Sequence, residues 1–204
     1  MKMRAAVLRA QGRPRPYSVS RPMTIETVDL DPPGPGEVLY EIIGASLCHS
    51  DLSTIEGLRP RRLPTIPGHE AAGIVRDVGP EVIGLKPGDQ VVSVLVTSCG
   101  DCRYCNGGRP NLCQSSFAAR AEGALISGAR RLSLNGEPLH HYSGLYMGSC
   151  VPKRDIPRLI ALYQRGKLPV DRLRSGSIRL EQINHGFDRL ADGAVLSQVL
   201  QPHA

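Results

Sequence analysis

Residues 4–8 (RAAVL) and 23–30 (MTIETVDL) predict short strands, the second by its alternation of apolar and polar positions. The following DPPGPGE (31–37) is a proline and glycine turn that cannot hold a ladder. Residues 38–47 (VLYEIIGASL) predict a longer strand, followed by one or two helical turns over 51–57 that stop at Gly57. A loop rich in proline and arginine, RPRRLPTIPG, then leads to His69. Residues 71–78 and 90–96 predict two more strands, the latter after the turn signal Lys86-Pro87-Gly88-Asp89. Such a succession of short strands and sharp turns suggests a small, partly open β-barrel. Residues 114–144 show no strong period and predict irregular chain, with a hairpin candidate at Leu134-Asn135-Gly136.

The pattern changes after Gly144. Ile156, Leu159, Ile160 and Tyr163 recur at helical spacing, between Asp155 at the start and Gly166 at the stop, predicting a helix over 154–165. A second helix over 180–190 puts Ile183, Phe187 and Leu190 on one side, and 194–200 predicts a final strand. These readings divide the chain into residues 1–144 and 145–204.

Composition narrows the class. A hydrophobic fraction of 41% and a charged fraction of 22% are those of a globular protein. With no Trp and only two Phe, the core must rely on aliphatic residues, while Gly 22 and Pro 17 favour turns over long helices. The net charge of +6 is spread along the chain, with short clusters at 59–62 and 130–131, and suits anion attraction more than nucleic-acid binding. No apolar run is long enough to span a bilayer, and the apolar piece at 5–8 is too short for a secretion signal. Cytoplasmic residence with reduced thiols, and no membrane or nucleic-acid partner, is the expectation.

The richest chemistry lies in CGDCRYCNGGRPNLC, where Cys99, Cys102, Cys105 and Cys113 follow C-x2-C-x2-C-x7-C. Four thiols so close, separated by turn-forming residues, can surround one tetrahedral zinc in a lobe over 97–114. Such a closed set leaves no position for water and serves structure. Paired disulfides suit a chain without a secretion signal poorly. An iron–sulfur run would be more compact and end in Cys-Pro, whereas Gln114 follows Cys113.

Cys48 and His69 are a second metal-capable pair. A thiolate and an imidazole at strand or loop ends suit an open zinc site that still needs a third protein ligand and a water. Asp51 and Glu70 could hold the imidazole from behind the ligands. Taken singly, Cys48 reads as a small buried apolar residue and His69 as a satisfied loop histidine.

Neighbouring motifs change that balance. GHEAAGIVRDVGPEV (68–82) has the form G-H-E-x2-G-x5-G-x2-V and resembles the zinc signature of the medium-chain alcohol dehydrogenase family. Ala45 to Asp51, GLKPGDQVV (84–92) and the four-cysteine lobe are similar to the same family in order and spacing. So are MGSCVPKRDIPRL (147–159) and IRLEQINHGFDRL (178–190), which resemble its C-terminal segment. The nearest branch is the class III-like, NAD-dependent one.

The resemblance implies a mainly β, GroES-like, partly open barrel with a four-cysteine zinc lobe, plus a C-terminal α/β segment that returns to the catalytic domain. It also implies zinc-assisted hydride transfer between an alcohol or aldehyde and NAD. Cys48 and His69 match catalytic zinc ligands, and Cys99, Cys102, Cys105 and Cys113 match structural ones. Ser50 matches the hydroxyl that takes the substrate proton, His49 a contact to the cofactor pyrophosphate, and Asp51 and Glu70 acids behind the ligands.

Several family features are missing. Ser53 stands where several members carry a relay histidine. No G-x-G-x-x-G occurs, although a dinucleotide needs that turn to seat its pyrophosphate. A Rossmann domain of roughly 130–150 residues is therefore expected to be absent at residues 144–145. The third catalytic zinc ligand and some barrel strands would be absent with it. Cys150 reads as a small loop residue, with a replacement third ligand as the alternative. The expectation is an oxidoreductase fold inactive by itself and prone to form homo-oligomers or aggregates. The competing readings are a zinc-stabilised binding module without chemistry and a basic nucleic-acid binder. Against the latter, the lobe carries only Arg103 and Arg109 as cations and Tyr104 as its aromatic.

Overall fold

Short strands separated by proline and glycine turns build two curved sheets. The computed structural model describes residues 1–141 and 151–203. In chain order the elements begin with β1 (Lys2–Leu8), the single turn α1 (Tyr17–Ser20), β2 (Met23–Leu30), β3 (Val38–Ser46) and α2 (His49–Ile55). Then come β4 (Thr65–Ile66), β5 (Ala71–Val78), β6 (Gln90–Val92), α3 (Arg103–Asn106) and α4 (Gln114–Glu122). β7 (Leu132–Leu134), β8 (Glu137–Pro138) and β9 (His140–His141) close the first part. α5 (Pro152–Gln164), β10 (Arg174–Ile178), α6 (Ile183–Ala191) and β11 (Ser197–Leu200) follow.

One sheet has the order β8-β7-β2-β1-β4-β9 and the other β10-β11-β3-β5-β6. β1 and β2 pair antiparallel from Lys2 opposite Asp29 to Leu8 opposite Met23. The run AAVL in β1 is apolar without alternation because both of its faces are covered. Ala6 and Leu8 join a core with Tyr17, Leu52, Ile55, Phe187 and Leu190, while Ala5 and Val7 join a second with Val28, Leu132 and Leu139. Each buried Val, Leu, Ile or Phe side chain among them contributes about 1.5–3 kcal/mol.

The C-terminal segment is built into this framework. β11 pairs antiparallel with β3, Val199 opposite Ser46 and Leu200 opposite Ala45. The Leu47 N–H donates to the Gln198 carbonyl at 3.2 Å. The helix α6 lies across this junction so closely that a Cβ on Gly186 would come within 2.6 Å of Ile178 Cδ1 and 2.9 Å of Leu47 Cδ2. From the other side, the Asp188 carboxylate accepts the N–H groups of Tyr17 (2.6 Å) and Ser18 (2.8 Å), fastening α1 to α6.

Several elements depart from the pattern reading. Residues 114–122 form a helix, not irregular chain. Only Ser116 is buried in it, so no apolar stripe marks it, and its stop is Gly123 at φ 62°. The strand expected over 90–96 ends at Val92, because its partner β5 offers pairing only at Ala72, Gly73 and Ile74. The helical turns begin at His49 and end at Ile55. The final strand starts at Ser197. β10 was not legible, since RSGSI has neither alternation nor apolar weight and is held by parallel pairing with β11. The hairpin between β7 and β8 turns at Asn135 (φ 53°) and Gly136 (φ 85°), the paired left-handed conformations that an Asn-Gly turn supplies. The boundary at 144–145 and Cys150 lie outside the described residues.

Candidate functional site

Two clusters of metal-capable side chains form, one local and one assembled across the sheet. In the lobe, backbone turns do the assembling. Cys102 precedes the one-turn α3, Cys105 sits within it, and a 3-10 turn over Pro110–Leu112 delivers Cys113 to the start of α4. One ligand atom of each of Cys99, Cys102, Cys105 and Cys113 lies within 4.8 Å of the others. Cys102 Sγ is 3.6 Å and Cys99 Sγ 3.9 Å from Cys105 Sγ, and all four thiols are unbridged. Backbone N–H groups of Cys99 and Cys102 donate to Cys113 Sγ (3.3 Å) and Cys99 Sγ (3.4 Å).

The electrostatics of this lobe fit a cation. N–H groups of Asp101 and Cys102 lower the Cys99 thiol to about 6, and those of Cys105 and Gln114 lower Cys102. Burial, together with the neighbouring thiols, pushes Cys105 up to about 12. Four thiolates cannot coexist at this separation without a positive ion among them. A tetrahedral divalent metal supplies that charge and takes an all-sulfur set, so the donors fit zinc.

The second cluster joins the end of β3 to the loop before β5. Cys48 is the residue before α2, Ser50 and Asp51 lie in that helix's first turn, and His69 and Glu70 immediately precede β5. Antiparallel pairing of β3 with β5, Ala45 opposite Ala71, brings the two stretches together. Ser50 Oγ donates to Cys48 Sγ at 3.3 Å and lies 3.1 Å from His69 Nε2. Behind the ring, Asp51 Oδ1 is 3.2 Å from His69 Nδ1, with both side chains 3% exposed or less. Glu70 Oε1 is 3.7 Å from Nε2, and its side chain is 46% exposed.

Cys48, His69 and Glu70 each offer a ligand atom within 4.8 Å of the others. Sequence reasoning placed Glu70 behind the ligands; the structure brings its carboxylate into ligand range, a proximity that its adjacency to His69 could have signalled. Burial alone would lower the His69 imidazole, yet hydrogen bonding and negative charge from Asp51 and Cys48 raise it to about 10. Negative charge thus gathers around the ring, from Asp51 at Nδ1 and Cys48 on the other side, and favours a cation there. A Cys, His and carboxylate set suits zinc with one position open. His49 is exposed at the start of α2 and lies outside this set.

Comparison with known proteins agrees with this architecture. Residues 34–150 match the family described as the alcohol dehydrogenase GroES-like domain. Over 145 residues the chain is 39% identical to an S-(hydroxymethyl)glutathione dehydrogenase of Escherichia coli O1:K1 / APEC. That match covers 71% of this chain and 37% of the relative, so the chain spans well under half of the relative's length. Among solved structures, the alcohol dehydrogenase zinc-binding domain protein from Burkholderia ambifaria is similar over the whole of both chains, with TM-score 0.86 and 20% identity. Benzyl alcohol dehydrogenase from Acinetobacter calcoaceticus gives TM-score 0.79 at 17% identity, over 98% of this chain and 99% of that one. At these identities the two structures speak for the fold.

Proposed function

The chain belongs to the zinc alcohol dehydrogenase family through its GroES-like domain, and on that premise we propose that it is the alcohol- and aldehyde-handling part of an oxidoreductase. The observation that carries this reading is the meeting of Cys48, Ser50, His69 and Glu70 around one point, with Asp51 buried behind the imidazole. Cys48 and His69 would hold the catalytic zinc, with Glu70 as the third protein ligand. When bound, zinc supplies Lewis-acid polarisation of a substrate oxygen.

The protein's own groups then have distinct tasks. Asp51 fixes the ring so that Nδ1 faces the carboxylate and Nε2 faces the metal position. Ser50 sits beside both ligand atoms and is the group suited to receive the alcohol's proton or return it to an aldehyde. Ser53 stands where several family members carry a relay histidine, so the proton leaves to water or to another group. The C-terminal strand β11 supports this site, because it pairs with β3, the strand that leads to Cys48.

The family's nicotinamide partner finds no seat in these residues. The 204 residues contain no glycine-rich dinucleotide turn, and His49 alone cannot cradle a pyrophosphate. No transfer step to NAD is derived from them, and the chain by itself is expected to be inactive. Self-association belongs to the same proposal, since Leu159, Ile160 and Tyr163 on α5 are each nearly half exposed. Among the described residues no helix is long and apolar enough to cross a membrane.

Zinc per chain tests the proposal. Elemental analysis should give two zincs for the wild type, one for His69→Ala and one for Cys48→Ser. A wild type that holds one zinc, unchanged in both variants, would replace this reading with a zinc-stabilised module that does no chemistry.

A further inference from the structure

His69 and Glu70 are adjacent in the chain, yet their side chains reach one place. In a regular strand successive side chains point to opposite faces. Cys48, His69 and Glu70 nevertheless each bring a ligand atom within 4.8 Å of the others. The Glu70 side chain is 46% exposed, so packing does little to aim it, and its direction is left to the backbone.

That backbone is held by Ser93. Peptide groups are planar, so the two torsions at Glu70 are set once the peptides before and after it are fixed. The Ser93 hydroxyl touches both. Its Oγ accepts the Ala71 N–H, in the peptide after Glu70, at 2.8 Å. It offers its one proton to the His69 carbonyl, in the peptide before Glu70, and to the Ala71 carbonyl, each at 3.2 Å. We propose that Ser93 is a positioning residue, which turns the Glu70 carboxylate into ligand range of Cys48 and His69. The inference rests on the reading of Glu70 as the third protein ligand.

The surroundings suit that task. Ser93 follows β6, and its N–H donates to the Ala71 carbonyl at 2.8 Å, extending the register in which Val92 faces Ala72. From the opposite edge, the Ser46 N–H at the end of β3 donates to the Glu70 carbonyl at 2.8 Å. The ligand-bearing stretch is thus clamped between two strands. The Ser46 and Ser93 N–H groups are backbone contacts that other residues could supply. The hydroxyl is a matter of residue type, because one atom has to accept and donate at once. Alanine does neither. Threonine does both and suits the end of a strand. Without the hydroxyl the Glu70 torsions are released, and ordinary strand geometry sends its side chain to the face opposite His69.

Zinc affinity at the Cys48 and His69 site, measured on the full chain by competition with a chromophoric chelator, tests the proposal, with the four-cysteine zinc as internal control. Ser93→Ala should weaken that site about tenfold or more while the lobe keeps its metal, and Ser93→Thr should restore it. A double-mutant cycle supplies a readout that a merely structural role would not move. Once Glu70→Ala has removed the carboxylate, adding Ser93→Ala should weaken the site no further. With cobalt(II) in place of zinc, Ser93→Ala and Glu70→Ala should change the visible bands alike, since each leaves the ion short of the same oxygen. The failures are distinguishable. If Glu70→Ala leaves the second zinc as tight as in the wild type, the third-ligand reading falls and this proposal with it. If Glu70→Ala weakens the site but Ser93→Ala does not, or if the two losses simply add, the role of Ser93 alone is overturned.

Discussion

Asp51 and His69 meet at 3.2 Å in one of the most enclosed places in the molecule, the carboxylate behind the ring and the candidate ligand atom in front of it. One comes from the first turn of α2 and the other from the loop before β5, so the contact exists only once β3 and β5 have paired. A buried carboxylate this near an imidazole sets which nitrogen carries the proton and increases the basicity of the other.

Replacing Asp51 with Asn should therefore weaken zinc at Cys48 and His69 by about 10–100-fold, while the four-cysteine zinc is retained. Competition with a chromophoric chelator, read together with total zinc, separates the two sites. Loss of both metals in step would contradict the positioning role.

Removing metal from the four-cysteine lobe should lower the melting temperature. The lobe buries little beyond Cys113, so the sulfur–metal bonds are its main source of order. Cys102→Ser and chelation should produce comparable shifts. An unchanged transition after verified metal loss would show that backbone turns alone hold the lobe.

Asp188 gives a pH-dependent term remote from either metal cluster. Burial by itself would raise its carboxyl, but the N–H groups of Ser18 and Tyr17 hold it below the usual aspartate value. The unfolded chain then binds the proton more readily, so stability rises with pH through this window. The contribution is full above about pH 4 and fades as pH falls through the lower folded value. Asp188→Ala should cost about 1–3 kcal/mol at neutral pH and flatten the acid limb of the stability curve. Urea melts of both proteins across pH 2.5–7, a span of roughly that window, provide the check; parallel acid limbs would exclude this carboxylate as a source.

Gly186→Ala tests the close approach of α6 to the strand that leads to Cys48. The new methyl would press on Ile178 and Leu47, two buried side chains. Overpacking costs about 1–3 kcal/mol and the gain in helix propensity returns about 1, leaving net destabilisation. Thermal melts measure it, and a more stable variant would show that Leu47 and Ile178 have room to move.

Local physics made much of the fold legible in advance. MTIETVDL is a strand over Met23–Leu30 because its side chains alternate and DPPGPGE cannot continue a ladder. Asn135-Gly136 is a turn because those two residues tolerate left-handed backbone. The four cysteines converge because their spacing is bridged by turns, a short-range matter that the chain carries in one stretch. The helix Gln114–Glu122 escaped because it buries almost nothing and so leaves no periodic signature.

What tertiary structure alone decided is long-range pairing. RSGSI becomes β10 only beside β11, and β11 is placed only by β3. Glu70 enters ligand range of Cys48 because separate parts of the chain are held side by side. Residue type and spacing named the chemistry each side chain could do. Which of them share a site was set by strand register, where shifting β3 against β5 by one residue would turn every side chain to the opposite face.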